Sequence, residues 1–177
     1  MDSMTRRKRT AACVILASLL FTHHCADKKS TRYICRPEGF SIEFPASWRV
    51  MEHHKGARII AIAPQGKDLS YIRENINVVV EDVSRRITLD EYVDLQVQVL
   101  KRLEGITVLE RVDTSIAGKR AVRFSYVYAI KDFGYRAIVH TLQRNHSFFV
   151  ITGISQINNY NNFEKIFLAS STGFRFE

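Results

Sequence analysis

The chain is poor in the residue patterns that announce chemistry. Its eight glycines contain no GxGxxG and no phosphate-loop spacing, which excludes the usual backbone cradles for a dinucleotide or a nucleoside triphosphate. Its three cysteines, Cys13, Cys25 and Cys35, form no CxxC pair, so a zinc ribbon is not written here, and a Cys25–Cys35 disulfide stays open only where Cys25 is otherwise unmodified. No HExxH or HxH pairing occurs among the six histidines. The adjacent His53 and His54 would point to opposite faces of a strand and could not share an ion without a turn. A GxSxG elbow is missing, and Cys35 has no histidine signature near it, which leaves nucleophilic catalysis without a template. No apolar run approaches the roughly 20 residues of a membrane-spanning helix. Repeats and low-complexity tracts are absent as well, so a solenoid or a disordered chain is excluded.

What remains is the composition of one globular domain: 177 residues, 46% hydrophobic and 25% charged. The formal net charge of +8 resembles a nucleic-acid signal only until it is divided along the chain. Arg6, Arg7, Lys8 and Arg9 supply much of it. Elsewhere acids and bases alternate, as in Glu81, Asp82, Arg85, Arg86, Asp90 and Glu91, which is the pattern of a solvated surface and not of a phosphate-tracking stripe. No nucleic-acid partner is expected.

The N-terminus reads as an address. Four clustered cations precede the eleven apolar residues Ala11 to Phe21 and then the polar Thr22, His23 and His24, the layout of an export signal. As a helix the apolar run is about 16 Å long, short of a hydrocarbon core of roughly 30 Å. Cys25 stands where a bacterial lipoprotein places its acylated cysteine, although histidine before it departs from the small residues such sites favour. Three organisational parts follow: residues 1–25 as an export signal of lipoprotein type, 26–38 as a polar tether, and 39–177 as one domain. The membrane partner is then a lipid on Cys25, and the location an anchored protein of the bacterial cell envelope. Cleavage without lipid, giving a soluble periplasmic or secreted protein, is the alternative.

Along the domain the periodicities alternate between two and 3.6. Phe40, Ile42 and Phe44 alternate with Ser41 and Glu43 until Pro45, and Trp48 follows as a core plug. Arg58 to Ala63 is a strand stopped by Pro64 and Gly66. Ile76 to Val83 is a strand whose unbroken apolar run predicts burial on both faces. Thr88 with Glu91 forms a capping box, and it opens a helix with Tyr92, Val93, Val99, Leu100 and Leu103 on one stripe, Gln96 in the gap and Gly105 beyond the end. Thr107 to Val112 is extended. Gly118 to Ile154 reads as a three-strand meander with turns at Asp132–Gly134 and at Asn145–His146, and Val122, Phe124, Tyr126, Tyr128 and Ile130 share one face as a core floor. Asn158 to Ser171 is a second helix with Tyr160, Phe163 and Phe167 inward, asparagines at its cap and Gly173 at its end. Phe174 and Phe176 are expected to lie extended against the sheet. The fold class is α+β, an antiparallel sheet sandwiched by helices on both faces.

Four stretches in this order, GFSIEFPASW, RENINVVVEDV, AGKRAVRFSYVY and FFVITG with the asparagine-rich helix and GFRF, resemble the PsbP-like family. That is the domain of the extrinsic photosystem II protein and of bacterial envelope relatives such as the lipoprotein DcrB. The resemblance covers nearly all of Gly39 to Phe176 and implies the same sandwich, a largely non-catalytic role, and binding to larger assemblies or residence in an envelope. It carries over no catalytic residue, no metal ligand and no cofactor.

The function expected is therefore a non-catalytic binding or scaffold module with an envelope protein partner. Among the residues of its densest basic region, Arg123, Arg136, His140 and Arg144 are the candidate partner-binding residues, joined there by Lys119 and Arg120. The bland reading of these cations is a solvated edge that discourages strand aggregation. Two competing readings stay open: an enzyme with a cleft near His140, using it or a pair such as Glu81 and Asp82, and a basic module binding anionic lipid.

Overall fold

In the computed structural model, residues 29–66 and 71–177 are described. The export signal, Cys25 and the first residues of the tether lie outside them.

Among the described residues ten strands and two α-helices follow one another, and every strand pairing is antiparallel. The main sheet has seven strands. In spatial order they are β3 (Arg49–His54), β4 (Ala57–Ile62), β5 (Asn75–Asp82), β9 (Ser147–Gln156), β8 (Phe133–Arg144), β7 (Lys119–Ile130) and β6 (Thr107–Ile116). A small sheet of β1 (Ser30–Cys35), β2 (Phe40–Pro45) and β10 (Arg175–Phe176) joins the first described strand to the last through β2. The helices are α1 (Leu89–Arg102) and α2 (Tyr160–Thr172). They pack on opposite faces of the main sheet, in two separate apolar clusters.

The unbroken apolar run in β5 feeds both clusters. Ile76, Val78 and Val80 pack on the α2 side, and Val79 joins the α1 side. Strand alternation sorts the rest in the same way. Phe149 and Ile151 on β9, with Ile138 and Leu142 on β8, face α2 and the small sheet. Phe148 and Val150, with Val139 on β8 and Val122 and Phe124 on β7, face α1. The α2 side is dense with aromatic rings: Phe40 stacks on Phe174, Phe149 meets Phe176 edge to face, and Trp48 tilts against Phe163. Trp48 is the core plug expected. Gly153 lets the Phe167 side chain of α2 pack on the sheet, because a β-carbon there would clash with it.

The capping box opens α1 as expected: the Thr88 hydroxyl accepts from the Glu91 amide and the Glu91 carboxylate accepts from the Thr88 amide. Gly105 beyond its end is left-handed at φ +77°, a conformation a residue with a β-carbon adopts at a cost.

Several expectations are corrected. Residues 30–35 of the supposed tether form β1, paired along its length with β2, so the folded region begins before Gly39. The strand Arg49–His54 went unread because RVMEHH lacks alternation; its pairing with β4, and not its own pattern, makes it a strand. The first meander turn is Lys131–Asp132, with Lys131 left-handed at φ +52°, and Phe133 and Gly134 already belong to β8. The asparagines before α2 make no side-chain cap: a 3-10 turn at Ile157–Asn159 leads into the helix instead. On α1 only Leu89, Tyr92 and Val93 are buried, while Val99 is 57% exposed. The core floor likewise ends early, since Tyr126, Tyr128 and Ile130 are only partly covered.

Candidate functional site

Two regions collect polar groups next to unfilled or partly buried surface, one on each face of the main sheet.

The first contains three of the four sequence-selected residues. Arg123 on β7 and His140 on β8 are direct cross-strand partners, and Arg136 pairs with Val127 and Ser155 two residues from Ile138 on the same face. Even spacing along β8 therefore sets Arg136, His140 and Arg144 on the α2 side. Ser125, the next residue on that face of β7, is fully buried, and its hydroxyl has no hydrogen-bond partner among the described residues. Neither have the Nδ1 of His140 and the Nε atoms of Arg123 and Arg136. His140 is 4% exposed. Burial, helped by the Arg123 charge, lowers its pKa to about 4, so it is a neutral imidazole at pH 7. Arg123 keeps 28% of its side chain exposed and lies 3.8 Å from the Glu110 carboxylate on β6. Arg136 stacks 4.2 Å from the Tyr160 ring centre on α2. Burial pushes the Tyr160 hydroxyl up to about 12, with Glu164 adding to the rise and Arg136 opposing it.

Arg144 is committed elsewhere. Its guanidinium donates to the Gly39 carbonyl at 2.8 Å and to the Glu38 carbonyl, and it packs on Phe149 and Phe176. It ties the small sheet to the main one. The wider basic set also disperses: Arg120 is paired with Asp90 and Asp113, and Arg111 with Asp90 and Asp94. No single basic surface results, because each of these cations finds an acid across a strand or on α1.

The second region is a cleft of about 580 Å³ between α1 and the opposite face of the sheet. It is not the cleft expected near His140, because strand alternation puts that residue on the other face. Leu95, Val99 and Leu100 of α1 form one wall, and Phe124, Tyr126 and Val150 of the sheet form the floor. A polar chain crosses beside it. The Tyr92 hydroxyl donates to Glu81 at 2.6 Å, Gln96 donates to that hydroxyl at 3.4 Å, and the Thr141 hydroxyl donates to Gln96 at 3.3 Å. Burial and then the Glu81 carboxylate raise the Tyr92 pKa far above its usual value. Tyr92 also stacks on Phe148 with ring centres 3.9 Å apart. Asp82 points away from the cleft and accepts from the Ser147 hydroxyl, so Glu81 and Asp82 do not act as a pair.

The cleft was not legible in the sequence beyond one signal. Val99 and Leu103 continue the α1 stripe past the sheet residues able to cover them, and a stripe longer than its floor leaves an open gap.

Among the described residues no group of three His, Cys, Asp or Glu side chains is placed to hold a metal ion, and no helix is long and apolar enough to cross a membrane. Among the described residues Cys35 is a free thiol, raised to about 11 by burial and by its bond to Glu38. That is the character of a structural cysteine and not of a nucleophile.

Set beside solved structures, the chain is similar in fold to the PsbP of the cyanobacterium Synechocystis, with a TM-score of 0.65, 12% identity, and coverage of 84% of this chain and 93% of that one. It is equally similar to LpqN of Mycobacterium tuberculosis, a protein involved in cell envelope biogenesis, with a TM-score of 0.65, 13% identity, and coverage of 82% and 88%. A Pseudomonas aeruginosa protein of unknown function follows at a TM-score of 0.51 and 16% identity, over 81% of this chain and 94% of that one. The fold is PsbP-like: antiparallel sheet with a helix on each face. No family model and no curated protein matches the sequence.

Proposed function

We propose that the chain is an exported, lipid-anchored protein of a bacterial cell envelope, acting as a non-catalytic binding module that receives an acidic protein segment beside Arg123, Arg136 and His140. The observation that carries the binding part is the set of buried polar atoms without partners on that one face: the Ser125 hydroxyl, His140 Nδ1 and the two arginine Nε atoms. Buried polar groups in folded proteins are nearly all hydrogen-bonded, and four left unpaired on one face mark it as a polar site, where an incoming carboxylate would reach the partly exposed side chains of Arg123 and Arg136. The cations supply the attraction, since an arginine fork matches a carboxylate in two bonds at once.

The address rests on other support. The cationic, apolar and polar succession ending at Cys25 has the layout of a lipoprotein signal, and one solved protein of the same fold, LpqN, is involved in cell envelope biogenesis. A shared fold alone does not transfer a role, so the signal carries the larger part.

Metabolic labelling with palmitate tests the anchor: the protein takes up label, and Cys25→Ser abolishes it and releases the chain from the membrane fraction. Unlabelled wild-type protein ends the anchoring reading. In-cell crosslinking followed by affinity capture tests the binding face. A reproducible partner that is lost in Arg123→Ala with Arg136→Ala, while the melting temperature holds, supports it, and a partner retained by that variant refutes it.

A further inference from the structure

The cleft under α1 lies on the face the proposed partner does not use, and its chemistry is different. Its volume of about 580 Å³ falls within the roughly 300–1,000 Å³ of small-molecule sites. Its walls are mostly aliphatic and aromatic. The polar side chains along it are already satisfied by one another, in the chain from Glu81 through Tyr92 and Gln96 to Thr141. A polar ligand would find few free groups on this wall, whereas an apolar one would displace only water.

The mouth is polar. At the start of α1 the cleft adjoins a second hollow of about 480 Å³, which shares Arg85, Ile87 and Leu95 with it and adds Arg86. The carboxylates at this mouth have internal partners: Glu91 belongs to the capping box with Thr88, and Asp94 is paired with Arg111. Neither Arg85 nor Arg86 forms an ion pair among the described residues, although the charge of Arg85 acts on Glu91. An apolar chamber therefore opens onto two cations held in no ion pair among the described residues.

Other occupants fit less well. The floor strands β5, β9, β8 and β7 are each paired on both sides, so an extended peptide has no strand edge to join. The exposed apolar edge of α1, chiefly Leu95, Val99 and Leu103, is far smaller than the about 800 Å² per partner of a stable dimer. A bilayer surface would meet a convex apolar patch, and here the apolar surface is recessed. We propose that this cleft binds a single-chain amphiphile with an anionic headgroup, of the long-chain fatty acid type, with its chain along Leu100, Phe124 and Tyr126 and its head between Arg85 and Arg86.

The test uses the full chain carrying Cys25→Ser, so that no covalent lipid competes. A fluorescent polyene fatty acid reports occupancy, and palmitate, hexadecanol or phosphatidylglycerol vesicles are added as competitors. Palmitate is expected to displace the probe. Arg85→Ala with Arg86→Ala weakens palmitate by about tenfold, equivalent to about 1.4 kcal/mol, and leaves hexadecanol unchanged. Val99→Glu alters an exposed position, keeps the melting temperature and weakens both. The proposal is overturned if palmitate displaces nothing, if the double arginine variant weakens hexadecanol as much as palmitate, or if only vesicles compete. A concentration-dependent dimer that Val99→Glu dissociates, with no uptake of probe, also overturns it in favour of a second copy of the chain.

Discussion

The two helices of this protein are opposites in how they are held. α1 has a complete capping box, acids in its first turn, bases in its last, and ion pairs from Asp90 and Asp94 to Arg111 and Arg120 on the neighbouring strands. Beyond its first turns, however, it covers a cleft. α2 has no side-chain cap and no charges arranged along its dipole, yet Tyr160, Phe167, Ser170 and Ser171 are buried, and Gly153 leaves room for the Phe167 side chain against the sheet. Local signals make α1 a helix, and tertiary burial makes α2 one. The difference shows why a helix conspicuous in sequence can be the looser element, since caps and surface pairs are each worth about 1 kcal/mol or less and a buried ring is worth several.

Substitutions on the two sides should break this symmetry unequally. Phe167→Ala removes a ring from the dense side and is expected to cost about 3–5 kcal/mol, read from the urea midpoint at constant m. Leu100→Ala, beside the open cleft, should cost about 1 kcal/mol or less, because the space it leaves joins one that is already accessible. Equal losses at the two positions would mean that the cleft is closed in solution.

Acid should act through the α2 side. The folded pKa of His140 is depressed to about 4 from the ordinary 6.5, so between those values the unfolded chain binds more protons than the folded one. The stabilisation is complete above pH 6.5 and is lost as pH falls toward 4, by on the order of 3 kcal/mol. Arg123, directly opposite, opposes protonation, and Glu110 on β6 and Glu164 on α2 are acids on that side of the sheet. Carboxylates titrate in the same window, so the informative quantity is the difference between wild type and His140→Gln at pH 7 and pH 4.5. Parallel curves would contradict the burial of a neutral imidazole.

Smaller effects should sharpen the contrast from the α1 side. Thr88→Ala removes the cap and should cost about 1 kcal/mol. Val99→Ser, at a site exposed to solvent, should leave the melting temperature within the scatter of repeated measurements. If Val99→Ser destabilises as Thr88→Ala does, the apolar edge of α1 is covered in solution, and the cleft has an occupant or a partner.

Period and punctuation were enough for much of the fold. The alternation in FSIEF and VRFSYVY, the unbroken run in β5, the TLDE capping box and the glycine after each helix depend only on neighbouring residues, and these elements are where the sequence puts them. The strands at 30–35 and 49–54 were illegible because their extended form comes from pairing with β2 and β4, partners that STRYIC and RVMEHH do not encode by themselves.

The same division holds for the sites. Sequence alone determined which side chains share a strand face, and so put Arg136 and His140 on one side of their strand, because a two-residue period leaves no freedom once the strand exists; the register between β7 and β8 then set Arg123 beside them. Only the tertiary structure decided what those faces meet. It turned Arg144 into a clamp on the Glu38 and Gly39 carbonyls, buried His140 as a neutral ring, and left the last turns of α1 standing over a cleft. Burial and charge compensation depend on groups far apart in the chain, and no local pattern records them.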